Sequence, residues 1–558
     1  MGTISDKLMR IINTKEDIRQ ALISKGYDVP TSIPFKEYAK MILDLPCKVD
    51  SFPDIEGIVA RYSASGLTNE QMAANPVWVD KTGNGHDLQM KNFAWKGMSG
   101  VGGYGDENYQ TFYKFTLDDY RFIATPPGVK HMNFTFRVTG LQPGNKLALA
   151  FFGTTNTVYV TWNKDGIYTV DADIVEAGKP TYFYNGYGAT RGEFTIEILP
   201  LYPGALVFDG VDDYGTCDNF PILTKEKGYT VVALRQWDQD FLNTTLTGGL
   251  LSTRNYSTGE GVAFEKIESS NKGYWNLGAG GIIDFAKSPF TWQTSKQYNN
   301  VGILKGDKNH GKPLCVGCGL SGGQQCGRFA IWELVFLDHD ATEEELTKIK
   351  DYFVKTYPWL FPDQAWTVTG KTNEDEDRAT IANITGNGND LVLSNFGFAE
   401  GSGYNEEGEY AGYLVTDGVD DKIISSIFKM GNDWTVIGDW ELINTGKNDN
   451  AGIVKFDSIV IYNYNSMLIN IKNGRNILIP DQNTVNAICS DGRIYSKDWK
   501  ESIYNEETES TSKNFLTIGY SGNAYTKIAF KNLAIYPTVL SREDCIKAYN
   551  YLQTLKAK

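Results

Sequence analysis

No run of about 18 apolar residues, the least that crosses a bilayer as a helix, occurs in this chain. A membrane-spanning helix is therefore not expected. The opening residues, MGTISDKLMRIINTKEDIRQ, lack the basic start and apolar block of an export leader. Asp6 stands where N-myristoylation needs Ser or Thr. Cysteine is scarce and odd in number: Cys47, Cys217, Cys315, Cys318, Cys326, Cys489 and Cys545. A scattered odd set makes no disulfide framework, so folding in a reducing cytosol is expected. Positive charge is in deficit, 53 Lys and Arg against 68 Asp and Glu, for a net charge of −15. That balance repels phosphate backbones and sets nucleic acid aside as a ligand.

What is present suits strands and tight turns: 57 Gly, 32 Tyr and 13% aromatics. A length of 558 residues implies roughly three or four domains. One nonapeptide, LVFDGVDDY at 206–214, returns as LVTDGVDDK at 414–422. Its surroundings return too. TGNGHDLQMKNFAWKGMSG (82–100) and TGNGNDLVLSNFGFAEGSG (385–403) match at ten of nineteen places, at a shift of 303. YTVVALRQW (229–237) pairs with WTVIGDWEL (434–442) as a strand pattern. FAIWELVFLDHDATEEELTKIKDYF (329–353) pairs with IAFKNLAIYPTVLSREDCIKAYNYL (528–552). Each of these reads as an apolar strand, a turn and a short helix capped by Thr342 or Ser541.

The shift changes inside the repeat. Gly100 to Asp209 spans 109 residues and Gly403 to Asp417 spans 14, so the first repeat holds 95 more. That surplus, near 105–202, has its own strand patterns, with Asn163-Lys164-Asp165-Gly166 expected as a hairpin turn between two of them. The expected organisation is mainly β, with four parts. Residues 1–48 form a helical segment. Residues 49–104 and 203–360 form a first sandwich, 105–202 a small inserted β-sandwich, and 361–558 a second large sandwich.

The two repeats resemble laminin-G-like, concanavalin A-like jelly rolls. The likeness rests on the W-x-D-x-TGNGHDL opening, the LVFDGVDDY turn, the YTVVA strand and the closing strand and helix. It implies modules that bind glycans or proteins. Glycan stacking needs exposed rings beside polar groups. The candidates are Trp237, Tyr256 and Trp275, with Tyr274 and Trp292 beside them, and Trp440 and Tyr464, with Tyr462. The DGVDD turns offer Asp209, Asp212 and Asp213, and Asp417, Asp420 and Asp421, as hard oxygen ligands for calcium. Turn chemistry alone also accounts for them. Some jelly-roll relatives are glucanases with E-x-D-x-x-E on one strand, and no such strand occurs here, so an enzyme is not expected. His310, Cys315, Cys318 and Cys326 have zinc-like spacing, but LCVGCGL aligns with the cysteine-free FLTIGYSGN, which favours a buried strand.

At the N-terminus, Ile4, Leu8, Ile11, Lys15, Ile18 and Leu22 follow a 4-3-4-3-4 spacing, a seam of under three heptads. The segment ISDKLMRIINTKEDIRQALISKGYDVPTSIPFKEYAKMI (4–42), above all TKEDIRQALI-x-KG followed by PF-x-EYA-x-MI, resembles a short element at the start of fibre and tail proteins of bacteriophages, especially those of gut Bacteroides-type hosts. This resemblance implies attachment to other virion proteins through Ile4, Leu8, Ile11, Ile18 and Leu22. It also implies a homotrimer at the virion surface, released by lysis, that binds host-surface or mucosal glycans. A purely structural virion protein without sugar binding is the alternative, and a polysaccharide depolymerase the third.

Overall fold

A computed structural model describes Lys15 and residues 52–557, apart from 105–109, 126, 128–130, 153–156, 164, 174–178, 224–228, 239–240, 242–243, 254–262, 267–271, 276–281, 285–292, 297–313, 321–323, 407–409, 427–430, 444–451, 457–458, 464–466, 472–474, 480–484, 497–498, 500, 504–515 and 522–523. The chain forms two compact units, Met1–Asp54 and Ile55–Lys558. Ile4, Leu8, Ile11, Ile18 and Leu22 lie outside the described residues. No described helix is long and apolar enough to cross a membrane.

The second unit is mainly β, built of facing antiparallel sheets of the jelly-roll type. In the second repeat, one sheet centres on Ile528–Tyr536. That strand is flanked by Thr435–Leu442 on one side and by Gln364–Thr367 and Leu414–Val415 on the other. The opposing sheet includes Leu391–Ser394, Lys422–Ser425 and Leu516–Ile518. Inward side chains from both sheets, among them Trp366, Val436 and Ile535 from one and Leu391, Ile423 and Ile518 from the other, share one core. Alternation along each strand sends these residues to one face.

The first repeat has the same plan. Arg328–Leu337 is flanked by Thr230–Trp237 on one side and by Ile58–Ser63 and Leu206–Asp209 on the other. The facing sheet runs Gly248–Ser252, Leu314–Val316, Tyr214–Cys217, Leu88–Lys91. Both repeats carry a register shift at the same place, Leu234/Arg235 and Asp439/Trp440. The closing helices, Glu343–Thr356 and Arg542–Leu552, start as the sequence implies. Thr342 completes a capping box with Glu345, and Ser541 accepts from the Asp544 amide.

Strands between residues 112 and 199 pair with one another in two four-stranded sheets. Phe134, Phe136, Phe194 and Ile196 from one sheet meet Leu147, Leu149 and Phe183 from the other. The insert enters and leaves through adjoining residues: Leu201 donates to the Gly103 carbonyl at 2.7 Å, Tyr202 to Gly102 at 2.8 Å, and Gly102 to Ala205 at 2.8 Å. At the same point the second repeat makes only a short loop, closed by bonds between Asn405 and Tyr413 and between Gly412 and Asn405.

Asn163–Gly166 is not a hairpin turn. Thr157–Trp162 pairs with Leu147–Phe152, whereas Gly166–Asp173 pairs with His131–Thr139 in the other sheet. The segment crosses between sheets, and the Asp165 carboxylate holds it by accepting from the Gly140 and Leu141 amides at 2.9 and 2.6 Å.

Candidate functional site

The DGVDD turns are built alike. Asp209 Oδ1 accepts from the amides of Val211 and Asp212 at 2.7 and 3.4 Å, and Asp417 Oδ1 does so from Val419 and Asp420 at 2.7 and 3.2 Å. The Asp209 amide donates to Asp213 Oδ2 at 3.0 Å, and Asp417 donates to Asp421 Oδ2 at 2.8 Å. Gly210 and Gly418 have φ of +79° and +77°, and a Cβ there would press on Arg328 and Lys527. The NF loops of the earlier match lock onto these turns. Asn92 donates to the Asp212 carbonyl at 3.1 Å and Asn395 to that of Asp420 at 2.9 Å, both asparagines at positive φ.

One carboxylate oxygen from each aspartate of a turn lies within 4.8 Å of the others, in both turns. Much of their capacity is already used by backbone N–H groups, an arrangement turn chemistry explains. Burial, then the Asp209 charge, raises Asp213 to about 7; burial raises Asp421 to about 6. A group that is partly protonated near neutrality is a weaker calcium ligand than an ordinary carboxylate.

The aromatic candidates fall in three places. Trp237 and Trp440 are 4% and 1% exposed inside the two cores, where a sugar cannot stack on them. The Trp237 ring lies 5.1 Å from Phe329. Trp440 sits at the register shift, in space that a Cβ on Gly438 would occupy. Trp275 ends the strand Lys272–Trp275. Tyr256 and Tyr464 lie outside the described residues, as do Trp292 and His310.

The structure brings together a different aromatic group, on the insert. In Thr181–Asn185 the side chains alternate, Phe183 inward and Tyr182 and Tyr184 outward. In Arg121–Thr125, Arg121 and Ile123 lie opposite Tyr184 and Tyr182. Ala148 and Ala150 share that side of the sheet but are buried together with Tyr184, and Tyr182 packs against them. Arg121 lies 4.4 Å from the Tyr182 ring centre and donates to the Tyr184 hydroxyl at 3.2 Å. Tyr120 meets Tyr184 edge-on at 5.2 Å, and Arg191 lies over Tyr120 at 5.0 Å. Tyr187 completes the group, 6.5 Å from Tyr184. Tyr120, Tyr187, Arg121 and Arg191 are exposed, and Tyr182 is half-buried.

Buried Asn185 positions the two loops that carry this group. Its Nδ2 donates to the carbonyls of Thr116, Asp119 and Gly192 at 2.9, 3.2 and 2.9 Å, and its Oδ1 accepts from Gly192 at 2.9 Å. The first loop leads into Tyr120, and the second holds Tyr187 and Arg191. Flat rings with guanidinium and hydroxyl groups at their edges can take an apolar sugar face and bond its hydroxyls. The sequence signal was the alternation of TYFYN beside RFIAT.

No protein-family model matches the chain, and no curated protein matches it. Solved structures similar to it include the botulinum neurotoxin type G receptor-binding domain (TM-score 0.21, 11% identity, covering 34% of this chain and 50% of that one). The botulinum neurotoxin serotype D binding domain has a TM-score of 0.25 at 13% identity, over 62% of this chain and 89% of that one. Trypanosoma rangeli sialidase in complex with sialic acid has a TM-score of 0.23 at 10% identity, over 73% and 78%. The chain spans about half the length of the type G domain. These likenesses are too distant to carry an argument about ligand or activity.

Proposed function

We propose that this chain is a bacteriophage fibre or appendage protein that binds host-surface or mucosal glycans through the Tyr120, Arg121, Tyr182 and Tyr187 face of its inserted sandwich. The exposed aromatic and guanidinium face carries the glycan reading. The two larger sandwiches serve as a scaffold that holds that face out. The resemblance of residues 4–42 to phage fibre elements supports the virion assignment, with the N-terminal segment as the attachment point and a homotrimer as the assembly. The reading is of a binding protein rather than an enzyme.

The test is a glycan array of capsular polysaccharides and mucin glycans, probed with the full-length protein. Binding that competes with a soluble form of the same glycan supports the reading. Silence across the array, with the chain still incorporated into particles, supports a structural role instead. Release of reducing ends from a bound polysaccharide would make it a depolymerase. A single species of monomer mass in light scattering at high concentration would exclude the trimer.

A further inference from the structure

Cys315, Cys318 and Cys326 are buried, yet they stand outside the sandwich core and form their own cluster with Tyr214 against it. Side chains three apart on a regular strand face opposite ways. Gly317 breaks that alternation. Its φ is +102°, its amide donates to Leu250 at 2.8 Å, and its carbonyl accepts from Gly327 at 3.0 Å. A Cβ there would strike the Asp213 carbonyl and the Phe208 ring, so a side chain is excluded. The kink leaves Cys315 Sγ and Cys318 Sγ 2.9 Å apart.

Cys318 also reaches the thiol of Cys326, its cross-strand partner between Cys318–Leu320 and Gln324–Cys326. Opposed Cα atoms in an antiparallel pair are about 4.5–5.5 Å apart, inside the window of about 4.4–6.8 Å that a disulfide accepts. Two bridges are therefore geometrically open, and Cys318 belongs to both.

We propose that Cys315, Cys318 and Cys326 are a thiol oxidation site, in which peroxide closes one disulfide on the shared Cys318 and leaves the third cysteine as a thiol. One thiolate takes an oxygen atom from hydrogen peroxide, becoming a sulfenic acid and releasing hydroxide. The neighbouring thiol attacks that sulfur, forms the S–S bond and expels a second hydroxide. With the two thiol protons the products are one disulfide and two waters, a two-electron oxidation of the pair and reduction of the peroxide. Hydrogen bonds to Cys315 and Cys326, and then burial, hold the Cys318 thiol far above its ordinary range. Cys318 stands beside both Cys315 and Cys326, so it closes the bridge with whichever of the two takes the oxygen. The bridge pins the kink at Gly317.

The experiment treats the reduced full-length protein with hydrogen peroxide, then blocks remaining thiols and maps peptides by mass. The expected result is loss of two hydrogens, reversed by reductant, with a cross-linked peptide that contains Cys318. Cys315→Ser should retain a bridge to Cys326, Cys326→Ser should retain one to Cys315, and Cys318→Ser should lose both. The wild-type map locates the bridge even if a variant misfolds. A bridge confined to Cys489 and Cys545, a buried pair in the second repeat, would overturn the proposal. So would irreversible sulfinic acid at all three cysteines, a metal ion held by them in native mass spectra, or no change in mass.

Discussion

Ser99 donates its hydroxyl to Asp213 Oδ1 at 2.9 Å, although the whole inserted sandwich lies between them in the sequence. The second repeat has Ser402 and Asp421 at the corresponding places, with Asp421 Oδ1 left without a hydrogen-bond partner. Asp213 is fully buried and raised to about 7, first by burial and then by the Asp209 charge. The folded state therefore keeps a proton that the unfolded state releases near the ordinary carboxylate value of about 4. The stability from this group is complete below about pH 4 and is lost as pH rises through about 7. Urea unfolding at about pH 5 and about pH 8 should show a larger loss for wild type than for Asp213→Asn. Equal losses would refute this. Ser99→Ala should cost about 1–3 kcal/mol, from an acceptor left without its donor.

Arg61 and Glu333 form a buried ion pair at 3.2 Å, closed by Tyr352 and Tyr357 at 2.8 Å each. The second repeat places Ala365 and Asn532 at these two positions. Removing one charge strands the other, so Arg61→Ala should cost about 3–5 kcal/mol. Combining it with Glu333→Asn, which imitates the second repeat, should cost clearly less than the sum of the two single changes. Additive losses in a denaturant double-mutant cycle would show that the pair is not coupled.

On the proposed glycan face, Tyr182→Ala should weaken binding by about 0.5–1.5 kcal/mol, roughly 2- to 12-fold. Asn185→Ala leaves every ring present but releases the loops that carry Tyr120 and Arg191. It should lower affinity at least as much. Trp237→Phe, a change inside the first core, should leave affinity unchanged. Calorimetric titration with an array-positive glycan reads all three. Loss with Trp237→Phe and none with Tyr182→Ala would place the site elsewhere.

Calcium at the DGVDD turns would compete with the amides of Asp209 and Val211 for the same carboxylates. The expected melting temperature is therefore the same in millimolar calcium and in EDTA. A calcium-dependent rise that is lost in Asp212→Asn and Asp420→Asn would reverse that expectation and assign the metal to the turns.

The repeat was legible because its loops depend on residues with few substitutes. Asn92, Asn395, Gly210 and Gly418 hold left-handed backbone, and the paired aspartates cap the turns. The helix starts at Thr342 and Ser541 were legible for the same local reason. Pairing was less so. Asn163–Gly166 has turn chemistry, but a turn does not encode whether its second strand joins the same sheet or the facing one. Trp237 and Trp440 were read as exposed rings although they are buried, because abundance does not say which way a ring points. At Trp440 the register shift decides that, and the shift depends on the partner strand Ile528–Tyr536. On the insert, the two adjacent strands carrying Tyr182 and Arg121 lie about sixty residues apart in sequence, so their shared face emerges only once they pair in one sheet.

The insert enters and leaves its host through adjoining residues, 102–103 and 201–205, at a point where the second repeat spends only a short loop. Everything that sets the host's strand register lies outside that junction. On the proposed function, one recombination event that exchanges the residues between these two strands of the junction replaces the glycan-binding face and leaves the sequences of both large sandwiches and of the N-terminal segment unchanged.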